Sequence, residues 1–117
     1  MAYQKNGKVG EYIAEKFLES RGYEILERNY KKKVGEIDLI ANFEEYIIFI
    51  EVKLRISIAY GTPSEYVNKK KQTKIIKTAQ IYLNGIEKAT RFDVIQILKE
   101  GNKYHIEHIK NAFGINS

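Results

Sequence analysis

The spacing of apolar residues predicts an α+β fold, in which one mixed β-sheet is flanked by helices in the order α-β-β-β-α-β-β. Two segments have the helical spacing of apolar residues, and five segments are rich in β-branched or aromatic residues at strand length. Strands and helices do not alternate regularly along the chain, which argues against a doubly wound fold. With 117 residues and no repeat or linker, we expect a single domain over residues 1–117.

The first predicted elements are a helix and a strand. In residues 9–18 the apolar side chains recur at helical spacing, which indicates an amphipathic helix. This helix should end near Arg21, since the following Gly22 can adopt the left-handed conformation that terminates helices. Residues 22–30 then form a plausible strand, although their alternation is imperfect.

The remaining elements have clearer boundaries. Residues 35–41 and 46–55 predict a hairpin with a four-residue loop over residues 42–45. Thr62, Pro63 and Glu65 form a capping-box pattern, so a long helix should begin there and end near Gly85. That helix should bury apolar residues along one face: Val67, Ile75, Ile76, Ala79 and Leu83. Two final strands are predicted over residues 91–98 and 103–109, around a turn at residues 100–102.

Composition excludes several function classes. The chain contains no cysteine, so it has no disulfide framework, thiolate zinc site or catalytic thiol. No apolar run approaches the ~18 residues of a membrane span, and residues 1–10 lack the apolar core of a secretory signal. We therefore expect a cytoplasmic protein without a membrane partner. The net charge of +5 favours polyanions as partners.

The positive charge is concentrated in two segments. Residues 64–84 carry five lysines against one acidic residue, and a second lysine cluster occupies residues 31–33. Each cluster can be read as a solvated surface or as part of a surface that binds a polyanion. The second interpretation gains weight only if both clusters flank one acidic site.

Two neighbouring strands carry the residues that suggest chemistry. Alternation places Glu51, Lys53 and Arg55 on one face of their strand, and Asp38 joins them if the hairpin register permits. Two carboxylates in a buried strand suit Mg²⁺ or Mn²⁺ better than zinc. Lys53 could then orient a water or stabilise the charge that develops on a phosphate. The alternative is an ordinary salt-bridge ladder on a half-exposed sheet face.

Four separated motifs extend this pattern and resemble a known family. They are residues 7–14 (GKVGEYIA), 35–41 (GEIDLIA), 49–53 (FIEVK) with Arg55, and 91–94 (RFDV). An aspartate followed by Glu-x-Lys resembles the core of the PD-(D/E)xK nuclease superfamily, and the four motifs together resemble the YraN family. Members of that family are bacterial proteins predicted to be endonucleases and similar to archaeal Holliday-junction resolvases. The resemblance spans about residues 3–112, which leaves a short C-terminal tail.

The resemblance implies a restriction-endonuclease-like fold and a Mg²⁺-dependent endonuclease that hydrolyses DNA, with branched DNA favoured. It implies that Asp38, Glu51 and Glu11 bind the metal ion and that Lys53 is catalytic. Helical geometry places Glu11 at the edge of the apolar arc of the first helix, although a plain exposed glutamate fits equally well. Ile37 stands where the superfamily name has proline, a position that varies widely in these enzymes. Resolvase similarity also suggests a homodimer, since two strands of a symmetric junction require two sites.

Other polar residues are weaker candidates. Asp93 is interpreted as a structural partner of Arg91, and alternation sends His105 and His108 to opposite faces, which makes them a poor metal pair. The candidates for contact with nucleic acid are Arg55, Lys70, Gln72, Lys74 and Lys77. Two other function classes stay open: a nuclease-like module that binds nucleic acid without turnover, and a protein-interaction domain whose charged residues form salt bridges.

Overall fold

A computed structural model describes residues 6–56 and 67–114 of the chain. The predicted α+β class and element order are confirmed. The helices and strands of the described segments are α1 (Asn6–Ser20), β1 (Glu24–Lys32), β2 (Gly35–Phe43), β3 (Tyr46–Ile56), α2 (Lys69–Leu83), β4 (Ala89–Glu100) and β5 (Lys103–Phe113).

The strands form one mixed sheet in the order β1-β2-β3-β4-β5. Strands β3 and β4 are parallel, and the other neighbouring pairs are antiparallel. Since parallel neighbours cannot be joined by a tight turn, the chain crosses over between them, and α2 lies on that crossover. Strand β3 is central and is buried continuously over residues 47–51, as expected for a strand that is covered on both faces.

One helix covers each face of the sheet, so the molecule has two cores. Helix α1 contributes Ala14 and Leu18 to a core with side chains of the sheet, which include Leu39, Ala41, Ile48, Ile50, Ile95 and Ile97. Helix α2 contributes Ile75 and Ala79 to the other core, with Ile37, Ile40, Ile47, Phe49, Phe92 and Val94. The consequence for function is that a polar group in the buried part of β3 lies in one of these two covered layers.

A glycine sets the distance between α2 and the start of β2. A Cβ built on Gly35 would lie 2.9 Å from Oγ1 of Thr78 and 3.2 Å from Cβ of Lys74, both on α2. Contacts under 3.0 Å essentially do not occur for real Cβ atoms, so a side chain here would push the helix away from the strand. Gly35 thus allows the lysine-rich helix to approach the strand that carries Asp38.

Helix α2 begins later than predicted. Val67 lies in a bend, and Asn68 is the N-cap, with extended backbone and a side-chain oxygen that accepts the Lys71 N–H at 2.8 Å. An asparagine N-cap satisfies a backbone donor that the first helical turn leaves unpaired. The predicted capping box over residues 62–65 lies outside the described residues.

Both hairpin turns are tighter than predicted. Phe43 pairs with Tyr46, which leaves only Glu44 and Glu45 as the loop instead of four residues. Glu44 has a φ of 54°, the left-handed conformation that two-residue turns between antiparallel strands require. The second turn likewise spans two residues, because Glu100 pairs with Lys103. No helix of the described segments is long and apolar enough to cross a membrane.

A buried carboxylate joins β4 to β5 on the α1 side. Asp93 is fully buried and accepts hydrogen bonds from the Arg91 guanidinium at 2.9 Å, from Nε2 of His108 at 2.7 Å and from the Asn111 N–H at 2.9 Å. Arg91 also donates to the Tyr23 hydroxyl at 2.8 Å. This network confirms Asp93 as a structural partner of Arg91.

The two histidines have separate surroundings, as predicted from their spacing. His108 packs against Phe17 and Tyr23 inside the molecule, whereas His105 is exposed and lies 3.0 Å from Glu100. They do not form a metal pair.

Asp93→Asn should lower the free energy of unfolding by about 3 kcal/mol near neutral pH, because it leaves the half-buried Arg91 without its carboxylate. Burial opposes ionisation, but the bonds from His108, Arg91 and Asn111 outweigh it and lower the pKa of Asp93. The stabilisation is therefore present above the unfolded pKa of about 4 and is lost as pH falls through the lower folded pKa. Urea melts at several pH values measure this. Glu107→Gln, an exposed change on β5, is the control, and an equal effect of both variants would contradict the structural role.

Candidate active site

The candidate active site lies where β2 and β3 separate. Backbone pairing between them ends at Leu39 and Ile50, after which β2 continues beside β1 and β3 beside β4. Asp38 and Glu51 are the next residues beyond that last pair. Both carboxylates line one cavity, which lies beside α2.

The side chain of Asp38 takes the place of a backbone acceptor that β3 loses where it separates from β2. Its Oδ2 accepts the backbone N–H of Val52 at 2.8 Å, a donor on the strand that has turned away from β2. Burial is the largest cause of a raised pKa for Asp38, and the charge of Glu51 is the second; against the opposing bond from Val52 they raise the pKa to about 7. A carboxyl with such a pKa is poised between its neutral and charged forms at physiological pH.

Glu51 is the more deeply placed carboxylate, with only 5% of its surface exposed. Its Oε2 lies 2.7 Å from Nζ of Lys71 and 3.9 Å from Nζ of Lys53. Burial and the neighbouring Lys71 charge lower the pKa of Lys53 despite the opposing charge of Glu51. Burial also opposes ionisation of Lys71, but its hydrogen bond and charge interaction with Glu51 outweigh this and raise its pKa.

The cavity at this fork has a volume of about 450 Å³. The two carboxylates lie on the sheet, and the first turns of α2 provide a basic wall. The lining residues are Gly35, Glu36, Asp38, Glu51, Asn68, Lys70, Lys71, Lys74 and Ile75. An acidic centre beside a row of lysines is suited to a substrate that carries phosphates close to a cation.

The structure brings some of the predicted site residues together and separates others. Asp38 and Glu51 share the cavity, with Lys53 beside Glu51. Lys70 and Lys74 line its wall, whereas Lys77 is exposed farther along α2. Arg55 is exposed near the end of β3, and its charge is one of those that lower the pKa of Lys53.

Gln72, one of the candidates for contact with nucleic acid, is not among the residues that line the cavity. Its side-chain amide donates to the carbonyl of Val67 at 2.9 Å. The amide is therefore engaged in holding the segment that leads into α2, next to the N-cap Asn68.

Glu11 lies in a different cavity from the two carboxylates. It accepts a hydrogen bond from Nδ2 of Asn29 at 3.0 Å, and Nζ of Lys8 lies 3.9 Å from the same oxygen. These residues line a smaller cavity of about 190 Å³ between α1 and β1. Glu11 is near enough for its charge to raise the pKa of Asp38, but within residues 6–56 and 67–114 no three acidic or histidine side chains converge as a metal-binding group.

Lys71 is the functional candidate that sequence reasoning missed. It was one member of a lysine run, yet it makes the shortest contact to Glu51. A signal was available: Lys71 precedes the buried Ile75 by four residues, so it lies on the face of the helix that points to the sheet. A lysine on a buried stripe predicts an acidic partner on the sheet.

The donor set fits a hard divalent cation. Within the described segments, the contacts of the two carboxylates are made by Oδ2 of Asp38, which accepts the Val52 N–H, and by Oε2 of Glu51, which lies near Lys71 and Lys53. Mg²⁺ is commonly held by one or two carboxylates, with waters and substrate phosphates completing its shell. Two carboxylates in a roomy polar cavity match that requirement, whereas zinc would need more protein ligands of nitrogen or sulfur.

Comparison with known proteins agrees with the motifs. The model of the uncharacterised protein family UPF0102, the YraN family, matches residues 10–97. The chain belongs to this family. A UPF0102 protein of Caldanaerobacter subterraneus is 48% identical, over 92% of this chain and 93% of that protein. UPF0102 proteins of Clostridium botulinum and Alkaliphilus oremlandii are 49% and 47% identical, over 93% and 94% of this chain and 94% and 98% of their own length. The family match includes the residues of the fork, Asp38, Glu51 and Lys53.

Asp38→Asn should stabilise the metal-free protein above about pH 7, by up to about 4 kcal/mol for a shift of about three pKa units. Because the folded pKa of Asp38 is raised to about 7, ionising it weakens the fold as pH rises from about 4 to about 7. The amide oxygen can still accept the Val52 N–H. The gain should shrink to nothing towards about pH 4, where the carboxyl is neutral in both states.

Thermal melts in EDTA across this pH range measure the effect. Glu36→Gln removes an exposed carboxylate from the same cavity and should change stability little, which makes it the matched control. Destabilisation by Asp38→Asn would mean that the carboxylate is needed as a structural ion-pair partner.

Proposed function

We propose that this UPF0102 protein is a divalent-metal-dependent endonuclease that hydrolyses phosphodiester bonds of DNA. The observation that carries the proposal is the pair of carboxylates at the fork between β2 and β3, Asp38 and Glu51, with Lys53 beside them and lysines of α2 along the cavity wall. We propose Mg²⁺ or Mn²⁺ as the cofactor and the cytoplasm as the location.

The residues of the cavity divide the reaction between them. Asp38 and Glu51 would hold the ion, which supplies Lewis-acid activation and charge neutralisation at the phosphate. In the hydrolysis, a water oxygen forms a bond to phosphorus while one P–O ester bond breaks, and the leaving oxygen takes up a proton. Lys53, whose pKa is lowered, would orient that water and stabilise the charge that develops on the phosphate oxygens.

The wall of α2 supplies the surface for the DNA backbone. Lys70 and Lys74 line the cavity beside the acidic pair, so a phosphate bound there lies close to the candidate metal ligands. Lysine contacts to phosphate carry no base information, and we therefore propose recognition of DNA shape. The resemblance to resolvases favours branched DNA and a homodimer with two sites related by symmetry.

A second function is supported by one observation. The Lys71 ammonium occupies Glu51 at 2.7 Å, and a permanent ion pair there would leave a module that binds DNA without cleaving it. Titration with Mn²⁺ distinguishes the two functions, because a permanent pair would exclude the ion.

Purified protein should cleave at least one of three DNA substrates, single-stranded, duplex or four-way junction, when Mg²⁺ or Mn²⁺ is present. Asp38→Asn and Glu51→Gln should abolish both cleavage and Mn²⁺ binding. Lys53→Met should reduce the cleavage rate about 10²-fold or more. It should still bind Mn²⁺ in calorimetry, because the proposed role of Lys53 is at the phosphate and the water. Binding of DNA without cleavage under every metal condition would favour the module without turnover.

Exchange of Lys70 and Lys74 for glutamine should weaken DNA binding and reduce the dependence of log K on log salt by up to ~0.9 for each lost phosphate contact. Fluorescence anisotropy at several salt concentrations measures the slope. Lys103 and Lys110, exposed on the edge strand β5, provide the matched control, since their exchange removes the same charge far from the cavity. Equal slopes for the two double variants would show that only net charge matters.

A further inference from the structure

Lys71 occupies an oxygen of Glu51 that lies at the candidate metal site. Its Nζ is 2.7 Å from Oε2 of Glu51, the distance of a full charge-assisted hydrogen bond, whereas Nζ of Lys53 is 3.9 Å away. An ammonium and a divalent cation on one carboxylate repel each other strongly at such separations. A cation that binds Glu51 must therefore displace Lys71 or bind more weakly because of it.

The position of Lys71 permits displacement. Its side chain is 47% exposed, against 20% for Lys53, and it extends from the first turn of α2 at the cavity wall. Its backbone is fixed, because its N–H donates to Oδ1 of the N-cap Asn68. The flexible side chain of Lys71 can thus leave Glu51 without movement of the helix. It would then lie near Lys70, which lines the same cavity wall.

We propose that Lys71 is an exchangeable counter-cation of this site. In the ion-free protein Lys71 neutralises Glu51. When a divalent cation binds, the Lys71 ammonium leaves the carboxylate and pairs with a DNA phosphate at the cavity wall. Binding of the cation and binding of DNA then assist each other, because the phosphate gives the displaced ammonium a new partner and each ligand raises affinity for the other equally. This inference rests on the proposed function and specifies how its site is regulated.

Calorimetric titration of DNA-free protein with Mn²⁺ tests the exchange. Lys71→Met should bind Mn²⁺ about tenfold more tightly than the parent, because the cation no longer replaces a charge-assisted hydrogen bond. Lys70→Met is the matched control: it removes the same charge from the same wall, where the exposed Lys70 forms no ion pair with a side chain of residues 6–56 or 67–114. It should change Mn²⁺ affinity by less than about threefold. Lys71→Arg, which keeps the charge, should bind Mn²⁺ no more tightly than the parent.

The second half of the proposal is tested by DNA binding in the Lys53→Met background, where turnover is removed. Mn²⁺ should increase DNA affinity when Lys71 is present, and the increase should be several-fold smaller when Lys71→Met is added. The same increase with and without Lys71 would overturn the transfer of Lys71 to phosphate.

The outcomes separate this inference from the proposed function. If the parent binds Mn²⁺ through Asp38 and Glu51 but Lys71→Met behaves as Lys70→Met, the counter-cation role is wrong and the metal site stands. If the parent fails to bind Mn²⁺ while Lys71→Met binds it, the Lys71–Glu51 pair is permanent, which overturns the exchange and favours the module that binds DNA without turnover. If neither protein binds Mn²⁺, both the inference and the metal-dependent function fall.

Discussion

The separation of β2 from β3 after the Leu39–Ile50 pair creates the constraint around which this molecule is built. Where two strands diverge inside a covered sheet, backbone donors lose their ladder partners and must be satisfied in another way. The carboxylate of Asp38 does this for the N–H of Val52. In this position Asp38 shares a cavity beside α2 with a second carboxylate, the buried Glu51. The carboxylate that satisfies the Val52 N–H at the fork is thus also one of the two that concentrate negative charge there.

Such charge requires nearby cations, and the position of α2 supplies them. Two adjacent carboxylates in a buried setting repel each other and lose hydration. Gly35 lets α2 come close to the start of β2, and the Asn68 cap fixes the first turn of the helix. Lys71 then reaches Glu51 from the helix while Lys53 approaches along the strand. The lysine-rich composition of α2, unfavourable for an isolated helix because like charges repel, is compensated by the acidic fork beneath it.

Much of this arrangement could be predicted from the sequence, because it depends on periodicity and local chemistry. Alternation along β3 predicted Glu51 and Lys53 on one face, and their charged groups lie 3.9 Å apart. The approach of Asp38 to them depended on the hairpin register, and the predicted four-residue loop would have set Asp38 opposite Phe49 instead of beside Glu51. The turn lengths and the start of α2 were wrong, since backbone pairing and a single asparagine cap decide them and leave little trace in apolar spacing. The partner of Glu51 depends on how closely a helix approaches across a crossover. No local pattern specifies that distance.

The chain contains its own reference for what a structural carboxylate looks like. Asp93 is fully buried, but three side-chain and backbone groups donate to it, and together they lower its pKa. Asp38 has one backbone donor and a neighbouring carboxylate, and its pKa is raised to about 7. Within one sheet, then, Asp93 is satisfied by fixed donors, whereas the nearby charge of Lys71 is too weak to offset the burial of Asp38 and the charge of Glu51. A fold that can surround Asp93 with donors could have done so for Asp38. Instead, two carboxylates line a cavity edged with lysines, and this contrast with Asp93 supports the proposal that the fork binds a ligand.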